Sequence, residues 1–136
     1  MNQIQNPGAP GVGMIDLNAL KEFSAAKRVR KPIFKDGQLI SEMVCYEPGQ
    51  STIPHQHPSQ DEMFFVLDGC VNMNVGGTEY VLPAGSALSL KSGIMHDVRN
   101  LGTERSVIVF VKMAAALVAP GAPPAPRAAA PAAPKA

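Results

Sequence analysis

The chain has 136 residues, 46% of them hydrophobic and 17% charged, with a formal net charge of +1. That suffices for one globular domain and is too little for two. It excludes the strongly basic surface that nucleic acid requires, and no apolar run approaches the roughly 20 residues of a membrane span.

The first 14 residues, "MNQIQNPGAPGVGM", are polar and rich in Gly and Pro, which predicts a flexible N-terminus. They lack the basic and apolar regions of a signal peptide, so a cytoplasmic location is expected; translation could start at Met1 or Met14. "IDLNALKEFS" (15–24) predicts a helical turn or two starting near Asp16 or Asn18. Lys27, Arg28, Arg30 and Lys31 form a basic cluster that reads as solvated surface. "KPIFKDGQLISEMVCYEPG" predicts two strands joined at the Asp36-Gly37 turn.

Further along, "EMFFVLDG", "CVNMNVGG", "EYVLPAG", "SALSLKSG", "IMHDVRNLG" and "RSVIVFVKM" are short apolar runs that each close on a turn residue. Many short strands without a long helix predict an all-β sandwich or barrel over residues 15–113. In "EMFFVL", Glu62, Phe64 and Val66 share one face and Met63, Phe65 and Leu67 the other, so this strand is expected to be covered on both sides. Residues 114–136, mostly Ala and Pro, predict a disordered or polyproline-like tail. Cys45 and Cys70 are too few for a disulfide scaffold and are expected as buried free thiols.

The chain has three histidines. His55 and His57, two apart on an extended segment, point to one face. Glu62 opens the next strand, and antiparallel pairing of the two strands would return its carboxylate to the histidines. His96 would have to come from a distant strand, which a closed barrel can supply. Imidazole and carboxylate together suit Fe, Mn, Ni, Co or Zn as divalent ions. Alone, however, H-x-H is a weak signal, because single histidines are ordinarily surface or core residues.

The spacing around these residues is more specific. Residues 49–69 read G-x5-H-x-H-x4-E-x6-G through Gly49, His55, His57, Glu62 and Gly69. Residues 85–100 read G-x5-K-x-G-x2-H-x3-N through Gly85, Lys91, Gly93, His96 and Asn100. These resemble the two motifs of the cupin superfamily, with one departure: Lys91 stands where the family usually has Pro, which bears on loop geometry. The resemblance covers about residues 30–113. It implies a double-stranded β-helix, or jelly-roll barrel, one divalent metal per chain on His55, His57, Glu62 and His96, and a homodimer. It also implies that the motif glycines are turn residues and that Asn100 is structural.

Strand parity with the ligands predicts a pocket lined by Ile53, Phe64 and Val66, with Ile94 and Val98; Met43, Cys45 and Met73 are further candidates. No Arg or Lys is expected there, so an apolar small molecule is the expected ligand. The functional expectation is a metal-dependent enzyme acting on a small organic molecule, foremost a dioxygenase and otherwise a lyase, decarboxylase or isomerase. The alternative is a non-catalytic binding or sensor module. No catalytic residue beyond the ligands is assigned.

Overall fold

The alternating sequence folds into nine short strands and one helical turn, described for residues 10–115 in a computed structural model. The strands are β1 (Val29–Asp36), β2 (Leu39–Tyr46), β3 (Ser51–His55), β4 (Gln60–Asp68), β5 (Cys70–Val75), β6 (Thr78–Pro83), β7 (Ala87–Leu90), β8 (His96–Arg99) and β9 (Ser106–Ala114). They form two antiparallel sheets, one in the order β1-β2-β9-β4-β7 and the other β3-β8-β5-β6. Neighbours in each sheet come largely from distant parts of the chain, as in a double-stranded β-helix. The all-β expectation is met. The expected flexible N-terminus falls mostly on residues 1–9, and the expected tail on residues 116–136, outside the described residues.

The hairpin at Asp36-Gly37 forms as expected. Asp36 pairs with Leu39, and Gly37 takes φ +52 at the first loop position, while no non-Gly residue among those described has positive φ. That combination is the type II′ hairpin turn, whose twist matches the flanking strands. Gly69 is a stricter case. It joins β4 to β5 at φ +70, and a Cβ there would fall against the Arg105 carbonyl oxygen and 2.7 Å from Ser106 Oγ. No residue with a side chain fits that approach. The other motif glycines, Gly49, Gly85 and Gly93, also have positive φ.

Parity divides the apolar residues into two clusters. Val44 and Tyr46 of β2, Phe64 and Val66 of β4, and Ile108 and Phe110 of β9 point between the sheets, meeting Val71, Met73, Leu82 and Val98. Met43 and Cys45, one position out of step, point to the other side of the five-stranded sheet with Val107. There the chain before β1 covers them. Asp16 caps α1 (Leu17–Leu20) by accepting hydrogen bonds from the Asn18 and Ala19 amides, and Leu17, Leu20 and Phe23 pack on the sheet. On β4, Leu67 joins this outer cluster but Met63 remains 44% exposed, so the strand is covered on both sides only at its C-terminal end. Cys45 is a buried free thiol whose pKa is raised by burial; Cys70 is free and half-buried. Among the described residues no helix is long and apolar enough to cross a membrane.

Candidate metal centre

His55 ends β3 and His96 begins β8, and the two pair directly in the ladder. Between Thr52 and His55 the register slips, because β3 spends three residues against two on β8. This bulge contains Pro54, which has no N–H to give to the ladder. Thr52 and His55, three apart, therefore both line the cavity described below, while Ile53 is 73% exposed at its rim. His57 lies just beyond β3 on a loop, where the Gly93 amide donates to its carbonyl at 2.8 Å. That second loop is itself tied down by Asp61, whose carboxylate accepts from the Ser92 amide (2.9 Å) and lies 3.5 Å from Lys91 Nζ.

Glu62 comes from the opposite side of the barrel. β3 pairs with β8, and β4 belongs to the other sheet, so Glu62 reaches the histidines across the interior; the expected pairing of its strand with theirs does not form. Its Oε1 lies 3.1 Å from His96 Nε2 and 3.3 Å from His57 Nε2. The three histidines each offer a ring nitrogen within 4.8 Å of the others, a group able to hold a metal ion.

The rings are oriented from behind. His55 Nδ1 lies 2.8 Å from the Ile53 carbonyl, and His96 Nδ1 lies 2.9 Å from the Ile94 carbonyl. A carbonyl only accepts, so Nδ1 carries the proton in both rings and Nε2 is left with its lone pair facing inward. Glu62 Oε1, His57 Nε2 and His96 Nε2 are all buried, and apart from these close contacts with one another none has a hydrogen-bond partner. Burial holds the His57 imidazole below its ordinary pKa against the pull of the Glu62 carboxylate. At His96 burial acts in the same direction but is outweighed by Glu62, the Ile94 carbonyl and Asp97, so its pKa is raised.

His55, His57 and Glu62 line a cavity of about 370 Å³, with His96 buried behind them. Val44, Phe64, Val98, Ile108 and Phe110 form its apolar walls, and Tyr46 and Thr52 add two hydroxyls whose oxygens are 2.7 Å apart. Of the residues expected there, Phe64 and Val98 line it and Ile53 stands at its rim. Val66 and Met73 instead lie in the packed core, and Ile94 packs against that core, contributing to the centre through its carbonyl alone. Met43 and Cys45 are on the opposite face of the sheet, since neighbouring residues of a strand alternate sides.

The expectation of a cavity without cations is overturned: Arg28, Arg30 and Lys112 all line it. The signal was in the parity. Arg30 pairs with the inward Val44, whereas Lys31 pairs with the outward Met43 and binds Glu22 at 2.8 Å. Lys112 shares the face of Ile108 and Phe110 and pairs with Glu62 across the sheet.

The profile of the cupin domain family matches residues 42–112, just over half of the chain. The chain belongs to the cupin family. Among curated proteins, this cupin is 30% identical over 68 residues to "Polyketide synthase CurC" of Streptomyces cyaneus, a match covering 50% of this chain and 44% of that protein. It is 32% identical over 63 residues to "Tetracenomycin polyketide synthase protein TcmJ" of Streptomyces glaucescens, covering 46% and 42% respectively. The chain thus spans less than half the length of these relatives. Among solved structures it is similar to TT1209 from Thermus thermophilus, with a TM-score of 0.70 and 27% identity over 73% of this chain and 94% of that one.

Proposed function

We propose that this cupin holds one divalent transition ion on His55, His57, Glu62 and His96 and uses it to transform a small organic molecule, with dioxygenation as the reaction class. The reading is carried by three buried polar atoms, Glu62 Oε1, His57 Nε2 and His96 Nε2, that face one another without a partner. Each such atom costs about 1–3 kcal/mol when unsatisfied, and a cation among them would satisfy all three. The donor set, imidazole nitrogens with one carboxylate, suits Fe, Mn, Ni, Co or Zn.

Once bound, such an ion supplies Lewis acidity and, for iron or manganese, redox chemistry with O2. The chain's own part is positional. The Ile53 and Ile94 carbonyls fix the tautomers of His55 and His96, Gly93 holds the His57 loop, and the walls from Phe64 to Phe110 keep the reacting end dry. Both Streptomyces relatives are named as polyketide synthase proteins, and an oxygen-rich aromatic or enolic molecule of that kind would suit a cavity of this size.

The test begins with elemental analysis of the purified chain after anaerobic reconstitution, where one transition ion per chain is expected. O2 uptake is then followed with the Fe(II) and Mn(II) forms over diketones, catechols and flavonols. A chain that takes up no stoichiometric metal defeats the site; a loaded chain giving neither uptake nor product with any substrate reduces the reading to ligand binding without turnover.

A further inference from the structure

Charge at the cavity mouth is one-sided. Arg28, Arg30 and Lys112 line it together with a single carboxylate, Glu62. The three cations are not equivalent. Arg30 is held by Glu42 at 2.9 Å, and Lys112 lies 5.1 Å above the Phe110 ring. Arg28 has no such engagement: none of the ion pairs among the described residues includes it, and its best contact is a 3.4 Å approach to the Ser51 carbonyl. Its Nε is buried and has no hydrogen-bond partner. A guanidinium left without a carboxylate partner keeps paired N–H groups to offer, the two-pronged geometry that matches a carboxylate. The walls beside it, Val44, Phe64, Ile108 and Phe110, would take an apolar body and leave few polar groups to satisfy.

We propose that Arg28 is the anion-recognition residue of this cavity, and that the molecule it admits is a small apolar or aromatic carboxylate. The assignment rests on reading the cavity as a small-molecule site and adds the substrate class to it. Arg30 and Lys112 strengthen the positive field at the mouth without being the primary contact, since each is already engaged inside the protein. Association is accordingly faster at low salt.

The experiment is calorimetric titration of the full chain with benzoate and with its neutral counterpart benzamide, on Zn-loaded and metal-stripped protein. Benzoate is expected to bind at least tenfold more tightly than benzamide in both forms. Arg28→Gln removes that preference while leaving the weaker benzamide binding in place, which also shows that the variant is folded. Arg28→Lys restores only part, because an ammonium lacks the fork. Lys31→Gln, which removes a charge of the same basic cluster from the outer face of the sheet, keeps the preference.

Four outcomes overturn the assignment. These are no benzoate binding, benzoate binding indifferent to Arg28→Gln, a preference lost as fully in Lys31→Gln as in Arg28→Gln, or inorganic phosphate displacing benzoate at equal concentration. The two readings fail separately. A chain that takes up no metal yet binds benzoate through Arg28 loses only the metal site. A fully loaded chain whose benzoate affinity ignores Arg28 loses only the carboxylate subsite.

Discussion

The hydroxyl of Tyr46 reports directly on how dry the barrel interior is. Its ring is fully buried between the sheets, and its oxygen is 2.7 Å from Thr52 Oγ1 on the cavity wall. Burial pushes the phenol from 10.0 up to about 12, overcoming the Thr52 hydrogen bond and the attraction of Arg28 and Arg30, which pull it down. At about 1.4 kcal/mol per pKa unit, that shift is worth about 3 kcal/mol between folded and unfolded chains. The folded pKa lies above the unfolded one, so the native state holds more protons between the two values. Stability is therefore complete below about pH 10 and falls as pH rises towards 12, with roughly half of that contribution lost near pH 11. Tyr80→Phe leaves Tyr46 as the sole tyrosine of the chain. Tyrosinate absorbance should then titrate well above the free value, and urea unfolding should show the loss of stability, relative to the variant that also carries Tyr46→Phe. A phenol titrating near 10 in protein still folded by circular dichroism would mean that water reaches the hydroxyl, refuting the dry interior.

Three further outcomes are expected. Gly69→Ala forces a left-handed backbone on a residue with a side chain and drives its Cβ against Arg105 and Ser106; the combined cost is about 3 kcal/mol, lowering Tm by roughly 15 °C, and a drop under about 3 °C in calorimetry would contradict it. Competition with a chelating dye should show Glu62→Gln weakening Zn binding less than His57→Ala or His96→Ala does, because the amide keeps one oxygen donor; an equal or larger loss would make the acid the dominant ligand. Asp61→Ala removes the acceptor of the Ser92 amide beneath the loop that holds His57, and is expected to cost about tenfold in metal affinity with all four ligands intact, as outer partners of metal ligands do; unchanged affinity would show that the loop holds itself.

The sequence made the hairpin at Asp36-Gly37, the run of short strands and the convergence of His55, His57, Glu62 and His96 legible, because each rests on local chemistry or fixed spacing. What it hid were matters of register. The bulge at Ile53-Pro54 breaks the simple alternation that would have turned Ile53 inward, and it exists only because β3 meets β8, a partner some forty residues away. Nothing local decides which face of β2 the candidates Met43 and Cys45 occupy; Tyr46, whose hydroxyl meets Thr52 inside the cavity, supplies the fixed point that turns them outward. The cluster of Lys27, Arg28, Arg30 and Lys31 looked like uniform surface charge. Pairing Arg30 with Val44 and Lys31 with Met43 splits it: Arg28 and Arg30 line the cavity, while Lys31 lies on the outer face and binds Glu22.

The proposed ligands sit on both sheets: His55 and His96 on β3 and β8 of the smaller one, Glu62 on β4 of the larger, with His57 on the loop between. An ion bound there would add a direct link between the two sheets, beside the Asp61–Ser92 hydrogen bond and the loops that join them at that end. Its occupancy and the closure of the barrel mouth would then be one equilibrium, with free metal raising the melting temperature by mass action. Stripping the ion would loosen the rim where β3 ends and β8 begins, so the first amides to gain exchange on chelation should be those around His57 and Gly93.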